Sequence, residues 1–354
     1  LLEGQRTNIA LQSSNLSGYV LTGVTIGADV IASPTGAVDA DSLIESGATS
    51  AHFVQGTNVG AANIEITFSA FVKAGTRTKG RLRVAAASGS TICVFDLVAK
   101  TATPSATSGN GTCTNGSITE YANGWFRITA TGVPDSTSGL TYAPVVDMAD
   151  AAGAFSYTGT NATVGMYVWG LQCEVAGSAS SYIPTTTAAA TRLTDHMFYL
   201  MGPEWKEGPG TIRATVQIPN NPLAFPRPAV DINFNTVGYA RRHQLTAYVG
   251  SGSGNSQYAV VADDLSVPVP GLQVAANVLT KNVAAAWAVN DFGHAANGTA
   301  SVLDQGGVLP TGLVKISFGE DDGSGGVGLY GWFQKFDYWP GRATTDELRA
   351  MTRL

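Results

Sequence analysis

Ile64-Glu65-Ile66-Thr67-Phe68-Ser69-Ala70-Phe71-Val72-Lys73 alternates in polarity with a period of two. In an extended chain successive side chains point to opposite faces, so Ile64, Ile66, Phe68, Ala70 and Val72 share one face and Glu65, Thr67, Ser69 and Lys73 the other. The pattern predicts a half-buried strand. Working outward, the same alternation recurs in residues 80–85, 91–98, 125–130, 142–146 and 164–175, separated by Gly, Ser, Thr and Asn turns. Several strands with one polar face predict two sheets packed face to face.

Residues 178–194, with Tyr182-Ile183-Pro184-Thr185-Thr186-Thr187 and Ala188-Ala189-Ala190, are poor in core formers, and they place a domain boundary near their end. Alternation resumes in residues 211–218, 230–235, 244–249, 258–262, 282–290, 314–318 and 329–338. Near the C-terminus, Thr344-Thr345-Asp346-Glu347 is a capping box, followed by Leu348 and Met351 at helical spacing. This short helix is expected to lay its apolar stripe on the last sheet, in a structural role. The expected fold is all-β: two tandem antiparallel β-sandwich (jelly-roll) domains, 1–194 and 195–354, with a short C-terminal helix.

Composition agrees. The 354 residues correspond to about two domains at roughly 150 residues each. Charged residues make up 13% of the chain and Gly accounts for 42 positions, so the surface is polar but weakly charged and the turns are many. Twenty Lys and Arg against 26 Asp and Glu give −6 without basic runs, which argues against a nucleic-acid partner. No apolar run reaches the ~18 residues of a membrane span. The start, Leu1-Leu2-Glu3-Gly4-Gln5-Arg6, lacks an initiator Met and a signal-peptide layout, and reads as a processed or truncated beginning. Cys93, Cys113 and Cys173 fit no zinc spacing; a Cys93–Cys113 bridge stays open, with buried free thiols expected.

Catalytic signatures are sparse. Gly326-Val327-Gly328-Leu329-Tyr330-Gly331 matches a dinucleotide-site pattern, but it leads into a strand rather than a helix and reads as a turn. His52, His196, His243 and His294 sit in no local signature. No strand carries the paired carboxylates of a glycoside hydrolase, and Asp263-Asp264 and Glu320-Asp321-Asp322 read as turn acids. Asp39 and Asp41 on an expected loop, with Glu174, are the oxygen ligands that a structural Ca²⁺ would take, against a reading as ordinary turn acids. No cofactor is otherwise required, and the chain is expected not to be an enzyme.

The residues suited to recognition are aromatic, since sugar C–H faces stack on Trp and Tyr while Asn, Gln, Asp and Arg satisfy hydroxyls. Trp125, Trp169, Trp287 and Trp332 lie in strand patterns and are expected in the core. Trp205, in a Gly202–Gly208 loop, and Tyr239, Arg241, Arg242 and His243, where donors neighbour a ring, are the carbohydrate-binding candidates. Tyr248 and Tyr258, flanking a Gly/Ser hairpin loop, join them.

Four blocks in order carry a resemblance. They are Leu2-Glu3-Gly4-Gln5-Arg6-Thr7-Asn8; Phe71-Val72-Lys73-Ala74-Gly75; Asn123-Gly124-Trp125-Phe126-Arg127; and Trp169-Gly170-Leu171-Gln172-Cys173-Glu174 followed by Ser181-Tyr182-Ile183-Pro184-Thr185-Thr186. The first half resembles jelly-roll modules of tailed-phage virion proteins, related to carbohydrate-binding modules of families four and nine; Tyr19 stands where such modules often carry Trp. The second half resembles laminin-G or concanavalin-like modules through Gly210-Thr211, Val289-Asn290-Asp291 with Asn297-Gly298, and Asp337-Tyr338-Trp339-Pro340-Gly341-Arg342. The resemblance implies a tail-fibre or head-spike protein of a phage or phage-like particle, acting outside the cell, that binds host capsule or lipopolysaccharide and other virion proteins. It carries over no catalytic residue. A structural decoration protein and a polysaccharide depolymerase are the competing expectations. No heptad stretch enforces a homotrimer, so trimers would form through sandwich faces or another protein.

Overall fold

The computed structural model describes residues 3–57, 64–86, 89–105, 109–135, 142–195, 197–217, 227–233, 242–247, 256–262, 265–267, 280–300, 307–319 and 331–353. Two compact units emerge, Thr7–Arg192 and Leu193–Leu354, the second joined by Leu1–Arg6. Both are antiparallel β-sandwiches.

In the first unit one six-stranded sheet runs Thr101–Pro104, Thr91–Asp96, Lys79–Ala85, Ala143–Ala149, Phe53–Gln55, Val20–Thr22. The other runs Asn115–Glu120, Trp125–Gly132, Ile66–Ala74, Thr163–Glu174, Val38–Glu45, Val24–Ala32. Between them Phe68, Val72, Leu82, Phe95, Ile128 and Val146 form the core. The Ile66–Ala74 strand departs from the expected half-burial, because Thr67 and Ser69 on its other face are as inaccessible as Phe68. The Thr67 hydroxyl donates to Ala176 O and Ser69 Oγ accepts from Arg127, while Phe71, Trp125 and Trp169 build a second apolar cluster on that outer face, with Tyr182 against it. Chain following the last strand thus covers what the local pattern left exposed.

The sequence blocks behind the resemblance form this closure. A bulge at Gly170 shifts the register from Trp169↔Phe71 to Gln172↔Ser69, turning Trp169 outward and Leu171 into the core. Gly170 has φ +63° and a Cβ there would meet the Phe71 ring at 2.9 Å, so glycine is required. Buried Asn8 spends its whole amide here: Nδ2 donates to Leu171 O (3.1 Å) and Ile183 O (2.8 Å), and Oδ1 accepts from the Ala10 and Cys173 amides (both 3.0 Å). Gln172 accepts from Ile183 N, and Thr185 bonds to Ala10 O.

In the second unit one sheet runs Met197–Leu200, Lys315–Phe318, Arg227–Asn233, Arg242–Ala247, Ser256–Ala262, Leu265–Val267. The facing sheet runs Thr299–Ala300, Asp291–Ala296, Thr280–Ala288, Gly210–Gln217, Trp332–Pro340. Ile212, Val216, Val230, Ile232, Leu245, Val283, Trp287 and Phe292 fill the space between. Helix Thr345–Met351 has both hydrogen bonds of its capping box, and Leu348 is buried on Ala284, Ala286 and Ala295. Trp332 corrects the expected core assignment, being 43% exposed. The Gly210–Gln217 strand pairs Thr215 with Lys335 but Val216 with Phe333, so the skipped Gln334 reverses the facing and Trp332 points out.

All three cysteines are free thiols. No helix among the described residues is long and apolar enough to cross a membrane.

Candidate binding pocket

Within the second unit, Met197–Leu200 is the edge of one sheet and Trp332–Pro340 the edge of the other. A pocket of about 340 Å³ is lined by Tyr199 and Met201, Ile316 and Phe318, Phe336 and Tyr338, and by Glu204 and Trp205 of the connecting loop. Its size falls in the usual range for small-ligand sites, roughly 300–1,000 Å³.

The loop is held on several sides. Trp205 stacks on Tyr338 with ring centroids 4.7 Å apart and packs near Trp287 at 6.2 Å. The Tyr338 hydroxyl donates to Lys206 O and accepts from Lys206 N, each at 3.2 Å. The Trp287 indole donates to Gly208 O (2.9 Å), and Glu207 accepts from Gly312 N (2.6 Å). Gly208 makes the turn at φ +115°, a conformation that strains any L residue. Phe318 meets Phe336 edge-on at 5.1 Å, completing the apolar wall. A site held this way loses little ordering entropy when a ligand enters.

Glu204 is the pocket's one ionisable carboxylate. Its Oε1 accepts from the Tyr199 hydroxyl and from Gly202 N, both at 2.7 Å. The Tyr199 hydroxyl first, then these amide bonds and the Lys206 charge, hold its pKa below the ordinary carboxylate range, so it is ionised at neutral pH. Its own backbone N–H adds to these bonds, and the side chain is exposed at the edge of the pocket. The buried indole N–H of Trp205 lacks an acceptor among the described residues.

Of the sequence-selected residues, Trp205 lines the pocket, while His243 does not. His243 is 1% exposed and stacks on Trp287 at 4.2 Å, and burial pushes its pKa down to about 3, so it is a neutral core ring rather than a surface donor. The alternation that buries Leu245 also faces His243 inward, a signal in the sequence itself. Arg242 and Tyr258 lie on strands Arg242–Ala247 and Ser256–Ala262. Tyr239, Arg241, Tyr248, His196, Asp263-Asp264, Glu320-Asp321-Asp322 and residues 326–330 of the glycine motif lie outside the described residues. Tyr199, Phe318, Phe336 and Tyr338 escaped selection because they come from three distant segments that only the sheet pairing brings together.

The expected calcium ligands are not assembled. Asp39 and Asp41 lie in strand Val38–Glu45 rather than a loop, and both Asp41 oxygens are used structurally, Oδ2 accepting from Leu16 N (2.8 Å) and Oδ1 from Asp29 N (3.0 Å). Glu174 accepts from Ser180 N, the Ser180 hydroxyl and the Gln172 amide inside the closure of the first unit. No group of three metal-ligating side chains occurs among the described residues. Tyr19 is a core ring, 7% exposed, with its hydroxyl on Leu11 O, so the Trp-to-Tyr departure falls in packing.

The first unit also holds a buried ionic group. Glu45 accepts from Arg77 in a two-point contact (2.6 and 2.8 Å), from the Tyr157 hydroxyl (2.7 Å) and from Thr160 N and Oγ1. Burial opposes ionisation, but Arg77 and these donors outweigh it and bring the Glu45 pKa down to about 2. His52 stacks on Tyr157 at 4.4 Å. With every strong acceptor position on Glu45 filled, the group braces neighbouring strands.

No protein-family model matches the chain, and no curated protein matches it. Among solved structures it is similar to the LG4–5 domains of the mouse laminin alpha1 chain, at 10% identity and a TM-score of 0.28, covering 91% of this chain and 89% of that chain. The class defined by the fold is a tandem antiparallel β-sandwich protein.

Proposed function

We propose that this protein is a non-enzymatic carbohydrate-binding component of a tailed-phage or phage-like particle, a tail fibre or head spike that attaches the particle to host surface polysaccharide. The observation that supports binding is the aromatic pocket around Trp205, pre-shaped by its loop and bordered by two sheet edges. The virion setting rests on the four sequence blocks of the first half. Stacking needs no cofactor, and weak single sites are multiplied when many copies face one polymer. The test is a glycan array probed with multimerised protein, including host capsule and lipopolysaccharide. Binding that falls in Trp205→Ala is expected; absence of binding to every host glycan refutes the proposal.

A second reading, a structural decoration protein, is favoured by the edge strand Met197–Leu200, whose four apolar side chains are all exposed. Such an edge is suited to pairing with another chain. Particles lacking the protein would then adsorb normally but be less stable.

A further inference from the structure

The pocket chemistry narrows the ligand. A neutral sugar ring seated fully inside would need partners for its hydroxyls, since a buried hydroxyl without one is costly. The tyrosine hydroxyls lining the pocket are already engaged, Tyr199 with Glu204 and Tyr338 with the Lys206 backbone. What remains is five aromatic rings, those of Tyr199, Trp205, Phe318, Phe336 and Tyr338, together with Met201, Ile316, the single Trp205 indole N–H and the exposed Glu204 carboxylate, too few polar groups for the several hydroxyls of a buried sugar ring. Ring faces attract a cation through their quadrupoles, and alkyl groups on that cation need no hydrogen bonds. Lys206, the nearby cation, has its Nζ on Pro203 O at 2.8 Å and does not line the pocket.

Building on the reading of this pocket as the glycan site, we propose that it takes a compact alkylated ammonium group, so that the polysaccharide recognised is one bearing quaternary or methylated ammonium substituents. The rings surround the alkyl groups and Glu204 balances the charge. The neutral part of the sugar stays at the mouth, where water serves its hydroxyls.

The probe is choline, titrated into the intact chain and followed by tryptophan fluorescence and calorimetry, beside 3,3-dimethylbutan-1-ol, its neutral counterpart of the same shape. Saturable choline binding is expected, with the neutral compound weaker by about tenfold, the order that cation–π attraction and one carboxylate supply. Glu204→Gln keeps an amide oxygen to accept from Tyr199 and Gly202 but removes the charge, so it is expected to weaken choline several-fold and to narrow the preference for choline over the neutral compound. Equal binding of both compounds, no choline binding, or an unaffected Glu204→Gln variant overturns the inference. So does tight, Trp205-dependent binding of a polysaccharide devoid of ammonium groups, a result that would leave the glycan reading intact. Choline binding with the stated discrimination but no polysaccharide binding would uphold the pocket chemistry and refute the glycan reading instead.

Discussion

Replacing Asn8 with Ala is expected to destabilise the first unit severely. Asn8 is fully buried, and its side chain is the partner of two carbonyls, Leu171 and Ile183, and two amides, Ala10 and Cys173. Truncation leaves four backbone groups unsatisfied, and at roughly 1–3 kcal/mol each the summed cost is about 4–12 kcal/mol before relaxation. Relaxation lowers the figure, so a loss of about 4 kcal/mol is expected, a large share of the ~5–15 kcal/mol that holds a domain folded. Urea unfolding followed by tryptophan fluorescence measures it, with Trp125 and Trp169 both buried in this unit. Should Asn8→Ala fail to fold, Thr185→Val serves as the graded test, since it removes only the hydroxyl contacts to Ala10 O and Ser13 N and is expected to cost about 1–3 kcal/mol. A loss below about 1 kcal/mol for Asn8→Ala would refute the closure as the element that joins the ends of the first sandwich.

Acid is expected to unfold the second unit before the first. Burial lowers His243 to about 3 and His294 to about 4 from 6.5, so below pH 6.5 only the unfolded state takes these protons. Stability then falls by about 2.7 kcal/mol per pH unit for the pair. In the first unit the lowered Glu45 keeps its contribution above pH 4.5, and about 3 kcal/mol is lost as pH falls towards 2. Asp41, raised by burial, opposes acid unfolding there. Calorimetry at pH 7 and pH 5 checks the order, which is wrong if the first unit melts earlier at pH 5. Leu348→Ala is expected to cost about 2–5 kcal/mol by emptying the space over Ala284, Ala286 and Ala295, and Thr344→Ala about 1 kcal/mol by removing the cap. Thermal melts distinguish these values from no effect. Native-state thiol titration is expected to label Cys113 well before Cys173, whose complete burial raises its pKa, and comparable rates would contradict the burial.

Period-two alternation made the sandwich class legible, because each strand exposes its pattern within a few residues. The covered outer face of Ile66–Ala74 was not legible, since Thr67 meets Ala176, and the contact depends on how distant chain returns. The exposure of Trp332 has a local cause that alternation does not reveal, the skipped Gln334 that reverses the facing of its strand. His243 looks like a binding residue because it is a donor beside a ring, although its parity with Leu245 places it inside. Edge strand Met197–Leu200 was missed, for four consecutive apolar residues show no alternation. Trp205 was legible as a loop aromatic, but its pocket was not, because the remaining walls depend on the pairing of Met197–Leu200 with Lys315–Phe318 and of Trp332–Pro340 with Gly210–Gln217.

The proposed binding of host polysaccharide at the Trp205 pocket is open to direct measurement. Equilibrium binding of the intact chain to polysaccharide extracted from host cells, for the wild type and a folded Trp205→Ala variant, tests it most directly. Saturable binding is expected, weakening up to about tenfold in the variant, the effect of losing one stacking ring, with the polymer length unchanged after incubation. Equal affinity in the two proteins, or no binding by either, would contradict it.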